Sequence, residues 1–128
     1  MLNPEIEEFA KILVQQVRDR AIRNCDTRLH EDAKDIVAAR WKKLITDESS
    51  AAVIKALIPD VVDATLAQVL WAIDQELLRL IFIASNEKNA DLPVVGSGQL
   101  EGWYMGHEGW RHKYSRERFI DDFKGPKL

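Results

Sequence analysis

The sequence predicts a mostly helical fold, all-α or α+β: four to five helices, a small β element and a glycine- and aromatic-rich C-terminal loop region. Three observations carry this expectation. Apolar residues recur at three- and four-residue steps from Ile6 to Leu77, the spacing of helices with one buried stripe. A single β-branched and aromatic run follows at 79–84. Five of the six glycines then fall at 96, 98, 102, 106 and 109, which opposes a long regular helix there.

The elements follow in order. Asn3 before Pro4, with Glu5, Glu7 and Glu8 behind, has the layout of a helix start: a capping side chain, proline in the first turn and acids at the positive end of the dipole. Ile6, Phe9, Leu13, Val17 and Ala21 form its stripe, and Arg18, Arg20 and Arg23 suit a closing turn, so the first helix is expected over 4–24. After a polar break at 24–27, Leu29, Ala33, Ile36, Val37, Trp41, Leu44 and Ile45 outline a second. Turn and cap residues at 47–50 introduce a short helix over 51–58, ended by Pro59. Val62, Leu66, Val69, Leu70, Ile73 and Leu77 then mark a fourth helix, over 60–78, as the central core element. A strand is expected at 79–84. Ser115 caps a last short helix carrying Phe119, Ile120 and Phe123, and Gly125-Pro126 ends it.

The chain has 128 residues, 46% of them hydrophobic and 30% charged, which predicts one domain (1–128) with its own core rather than a disordered chain. A net charge of -3 is too small to name a partner. The lone Cys25 excludes an internal disulfide and suits a reducing compartment. Acids at the N-terminus do not fit a signal peptide. The run at 77–84, broken by Arg79, falls well below the roughly 18 apolar residues a membrane span needs. A cytoplasmic protein without a membrane partner is expected.

One segment differs from the rest in composition. Residues 103–118 hold Trp103, Tyr104, His107, Trp110, Arg111, Tyr114 and Arg116, aromatic and arginine groups of the kind protein interfaces favour. These seven are the candidate partner-binding residues. The bland alternative is that Trp103 and Trp110 pack inward and hold the glycine-rich loop. The four bases Arg111, Lys113, Arg116 and Arg118 face only Glu117, which suggests a nucleic-acid patch as a second reading. One such patch on an acidic chain binds phosphate weakly, and no recognised nucleic-acid module is present.

Other constellations carry less. His107-Glu108 with His112 is one residue too long for H-E-x-x-H, which leaves the imidazoles some 140° apart on a helix, and Cys25 and His30 lie far off in sequence. No metal and no cofactor are expected. Asp26, His30, Glu31, Asp32 and Asp35 read as a solvated helix start, and Asp74, Glu76, Asp121 and Asp122 as solvated faces. No G-x-S-x-G elbow or cysteine-nucleophile context appears. A small enzyme working through unrecognised acids stays open, but no catalytic residue is named.

The order from Val69-Leu70-Trp71-Ala72-Ile73-Asp74, through a hydrophobic strand, a polar turn and the glycine-spaced aromatic run, to Tyr114-Ser115-Arg116-Glu117-Arg118-Phe119 resembles small uncharacterised bacterial proteins of the immunity type, some of which bind and neutralise a toxin domain. The resemblance covers about half the chain and carries over no functional residue. It implies a non-catalytic, protein-binding protein in a bacterial cytoplasm.

Overall fold

A computed structural model describes residues 3–119. The protein is mostly α with a small β element. In chain order it runs α1 (Pro4–Ile12), a π-helical segment (Leu13–Arg18), α2 (Asp19–Arg28), α3 (Ile36–Leu44), α4 (Glu48–Asp74), the hairpin strands β1 (Ile81–Ile83) and β2 (Asn89–Asp91), and three short helices, α5 (Leu92–Val95), α6 (Leu100–Met105) and α7 (Trp110–Tyr114).

α1, the π segment and α2 form one uninterrupted helical rod. It begins as expected: the Asn3 side chain accepts from the backbone N–H groups of Glu5 and Ile6 at 2.8 and 3.3 Å, with Pro4 in the first turn. Among the residues it buries, Ile6, Ala10, Val14, Arg18 and Ile22 form an unbroken i+4 series, with Glu5 and Asp19 buried beside it. On a regular α-helix each four-residue step overshoots a full turn by about 40°, so this series would drift some 160° around the rod. The π segment closes its hydrogen bonds over one extra residue and absorbs part of that drift, which keeps the series facing inward. The expected stripe through Val17 is corrected accordingly. Val17 is exposed, and Arg18, assigned to a closing turn, takes the inward place.

The first break falls at 29–35, not 24–27. There Asp35 caps α3 by accepting from the Ala38 N–H at 2.7 Å. Ile36 and Leu44, expected inside, are exposed, and Ala38 is the buried residue of α3.

The third and fourth expected helices are one helix. α4 starts from a reciprocal cap between Asp47 and Ser50 and continues through Pro59. Proline interrupts a helix because it lacks an N–H and crowds the carbonyl four residues back, yet Pro59 is buried within 27 residues of continuous helix. The expected core stripe keeps Leu70 and Ile73 and, in part, Val62 and Leu66. Ile58, Asp63, Ala67, Leu70 and Ile73 are buried, whereas Val69 and Leu77 are exposed. Joining the two segments makes α4 the one helix among the described residues long and apolar enough to cross a membrane by length and composition, with one third of its apolar window buried.

The strand expected at 79–84 appears as β1 and pairs antiparallel with β2, Phe82 opposite Ala90. The polar stretch 85–91 that follows supplies both the turn, with Glu87 at φ 68, and β2. The last three helices are four to six residues long, as the glycine spacing requires. α6 has no cap of its own. Asp74, at the end of α4, accepts from the N–H groups of Leu100 and Glu101 at 2.9 and 3.0 Å and so is no solvated acid. The core gathers Ile6, Ala10 and Val14, Leu70 and Ile73, Ala90 and Leu92, Leu100, Tyr104 and Trp110.

Candidate functional site

The seven residues proposed from sequence divide into three groups. Tyr104, Trp110 and Arg111 are buried. Trp103 and Tyr114 are partly buried, and His107 and Arg116 are exposed. In the structure Tyr104, Trp110 and Arg111 are therefore interior groups. Trp110 packs edge-on against Phe9, ring centroids 6.1 Å apart, and tilts against Trp103 at 6.1 Å.

What places the rings is the turn between α6 and α7. A Cβ on Gly109 would lie 2.2 Å from the Trp103 carbonyl oxygen, and one on Gly106 would lie 2.5 Å from the Gly102 oxygen. Only glycine allows the two helices to approach this closely. The approach leaves a cleft of about 250 Å³ lined by Gly102, Trp103, Gly106, His107, Glu108, Gly109, Trp110 and Lys113. Glu108 stands at its mouth with φ 53, a left-handed conformation uncommon for a residue with a side chain. The cleft thus has an aromatic floor and a rim of His107, Glu108 and Lys113, all three exposed.

Beneath this region lies a buried ionic cluster that the sequence did not reveal. The Asp63 carboxylate accepts from Arg18 Nε and the Tyr104 hydroxyl, each at 2.7 Å, through Oδ1, and from Arg111 Nη1 at 2.9 Å through Oδ2. Arg18 places all five of its N–H donors. Nη1 reaches Asp19 and the Ser115 hydroxyl at 2.8 and 2.9 Å, and Nη2 reaches Asp63 and the Arg118 carbonyl at 3.3 and 2.8 Å. Burial opposes the Arg18 charge, but the hydrogen bond and charge of Asp63, with Asp19 in support, outweigh it and hold its pKa above the ordinary value. Burial, then the negative charge of Asp63 and its hydrogen bond, push the Tyr104 phenol far upward, so it stays a neutral donor.

The segment after α7 closes the cluster. Asp19 accepts from the Ser115 hydroxyl at 2.9 Å and from the Arg116 N–H at 2.6 Å, and the Phe119 ring lies 5.8 and 5.1 Å from the Arg18 and Arg111 guanidinium carbons. Ser115 does not start a helix within the described residues. Its oxygen accepts from the Glu117 N–H at 3.0 Å, and the expected helix from Ile120 onward lies outside them.

This arrangement also breaks up the proposed basic patch. Arg111 faces inward to Asp63, and Arg118 grips Asp26 with two hydrogen bonds of 2.7 and 2.9 Å. Asp26, read as part of a solvated acidic face, is a partner of that arginine. Lys113 and Arg116 are the two bases of the patch left exposed. Among the described residues no three His, Cys, Asp or Glu side chains gather to hold a metal. The signal missed in the sequence is Asp63 itself, a lone acid within an apolar helical run, which is expensive to bury unless cations meet it. Comparison with family models, curated proteins and solved structures finds no match for this chain.

Proposed function

We propose that the protein is a non-catalytic, protein-binding protein, and that its partner is met at the cleft between α6 and α7. The observation that carries this reading is the half-buried Trp103, which floors the cleft inside an exposed rim of His107, Glu108 and Lys113. A partly covered aromatic ringed by polar groups on a rigid base is the layout of an interface hot spot. The base is rigid because Trp110 behind it is core and a side chain at Gly106 or Gly109 would collide with backbone. The main convergence of ionisable groups supports a non-catalytic role. Arg18, Asp19, Asp63 and Tyr104 are at most 3% exposed and already bonded to one another, which leaves a substrate no access.

In its finer form, suggested by the immunity-type resemblance, the partner is a toxin domain met in a bacterial cytoplasm. Calorimetric titration with the protein encoded by the adjacent gene tests the reading. A complex weakened about 30-fold or more by Trp103→Ala in a folded variant, the loss of roughly 2 kcal/mol typical of a hot spot, is expected. No complex, or one indifferent to Trp103→Ala and Lys113→Ala alike, overturns it.

A further inference from the structure

The hairpin spends half of the β1 main chain on β2 and leaves the other half pointing outward. The Leu92 N–H donates to the Leu80 carbonyl at 3.0 Å and the Ala84 N–H to the Lys88 carbonyl at 2.9 Å, so 80 with 92 and 84 with 88 are hydrogen-bonded pairs. In an antiparallel ladder such pairs alternate with pairs whose main-chain groups face away from each other. Phe82 with Ala90 is then bonded, while Ile81 and Ile83, opposite Asp91 and Asn89, turn their N–H and C=O groups to the outer edge of β1. No group among the described residues meets them there. The next N–H along that edge, Ser85, is taken by the Glu8 carboxylate at 2.9 Å. The open edge is therefore short and centred on Phe82.

Its side chains do nothing to close it. Ile81 and Ile83 are 56% and 67% exposed on one face, and Phe82, on the other, packs against Phe9 with ring centroids 5.6 Å apart. Edge strands are ordinarily guarded by lysine, proline or an inward charge. Residues 80–84 are Leu-Ile-Phe-Ile-Ala and carry none of these, whereas β2 has Asn89 and Asp91 on its edge and Pro93 just beyond.

We infer that β1 pairs with β1 of a second copy of this chain, antiparallel, about a two-fold axis through Phe82. The occupant is an extended backbone, because what the edge offers is a donor and an acceptor at Ile81 and again at Ile83, on one side of one strand. A second copy fits this register without remainder. Ile81 falls opposite Ile83 of the other copy and Ile83 opposite its Ile81, and each pair exchanges two main-chain bonds, so every open group is met and Ser85, already held by Glu8, is not called on. Across the axis Leu80 meets Ala84, Ile81 meets Ile83 and Phe82 meets Phe82, all of them apolar, and β-branched cross-strand pairs are favourable. The two hairpins become one four-stranded sheet in the order β2-β1-β1-β2, past the three strands at which a sheet gains stability of its own. An edge this short buries less than the roughly 1,200 Å² of a standard interface, so the pairing is concentration-dependent.

Amide hydrogen exchange of the whole chain, compared by nuclear magnetic resonance at about 1 mM and about 10 μM, tests this. The Ile81 and Ile83 amides should exchange about tenfold or more slowly in the concentrated sample, and those of Asn89 and Asp91 at an unchanged rate. Sedimentation of the concentrated sample should approach twice the 14.7 kDa of the chain and return to one chain for Ile83→Pro, which removes an N–H that the hairpin does not use, and for Ile81→Lys, with the helical circular-dichroism spectrum retained. On a Cys25→Ser background, Ile81→Cys chains mixed with Ile83→Cys chains under mild oxidation should cross-link, since such a pair lies about 5.5 Å apart between Cα atoms, while Asn89→Cys chains should not. Edge amides that exchange equally fast at both concentrations overturn the inference, as does a dimer that survives both Ile83→Pro and Ile81→Lys. Protection that appears only when the protein encoded by the adjacent gene is added would give the edge to that protein and overturn it equally. The Trp103 cleft uses other residues, so this inference and the proposed function can fail separately.

Discussion

The Arg118 guanidinium donates to the Lys55 carbonyl at 2.9 Å, the acceptor that Pro59, four residues on, cannot serve. A residue with an N–H at 59 would close the helical bond to Lys55. Proline leaves that oxygen without its helical donor, and an arginine from the far end of the described chain provides one while also holding Asp26. α4 thus crosses its proline with an external hydrogen bond in the place of an internal one.

The two residues should therefore be coupled. Arg118→Ala should destabilise the wild type by about 1.5–3 kcal/mol, the range for hydrogen bonds to a charged group. On a Pro59→Ala background the loss should shrink by about 0.5–1.5 kcal/mol, because residue 59 then supplies its own N–H. Urea denaturation of the four proteins in the cycle measures the difference, and strict additivity would contradict the relationship.

Asp63 is the only carboxylate directly bonded to both Arg18 and Arg111 among the described residues. Asp63→Ala leaves two buried guanidiniums facing each other and should cost about 3–5 kcal/mol, as breaking one partner of a buried ion pair does. A melting temperature within a degree or two of wild type would show that the cluster relaxes to water.

Trp110 and Trp103 should part company. Trp110, 2% exposed and in contact with Phe9, should cost about 3–5 kcal/mol on truncation to alanine. Trp103, half-buried at the cleft, should cost well under that and keep the folded spectrum. Equal losses in chemical denaturation would make both rings core and remove the cleft's central contact.

Tyr104 gives the protein an alkaline limit. Its phenol titrates far above the ordinary value in the folded chain because burial and the neighbouring Asp63 disfavour the phenolate. In the unfolded chain it ionises near pH 10. Below that both states hold the proton and stability does not respond. Above it only the folded state does, so the unfolded state binds fewer protons and stability falls as pH rises. Urea midpoints from pH 8 to 11 should decline more steeply for wild type than for Tyr104→Phe; parallel slopes would contradict this.

Where one turn of chain decides the outcome, the sequence was readable. Asn3 with Pro4, the cap residues at 47–50, and the change to β-branched residues at Ile81 each act through neighbours, and each marks a boundary in the structure. Long-range decisions were not readable. Pro59 reads as a stop until Arg118 is seen at Lys55, and Arg18 reads as a surface base until Asp63 is found opposite. The π segment hides in the same way, since three- and four-residue spacing fits Val17 as easily as Arg18. For the candidate site, the glycine spacing located the turn, but ring placement depended on Phe9 at the other end of the chain. Composition could therefore list the seven residues without sorting the inward from the outward.

The strap from Ser115 to Phe119 also sets an order of events in folding. Its bonds to Arg18 join positions 97 and 100 residues apart, and the Tyr114 carbonyl accepts from Gln15 across 99. Contacts closed over such long loops repay the ordering of the chain only once the helices they bridge stand in place. The strap should be the last piece to dock and the first to leave. Its bonds then belong to the native state and not to the transition state, so Ser115→Ala should speed unfolding and leave the folding limb of the chevron where it was. The persistence of the native protein, more than its speed of formation, rests on those five residues.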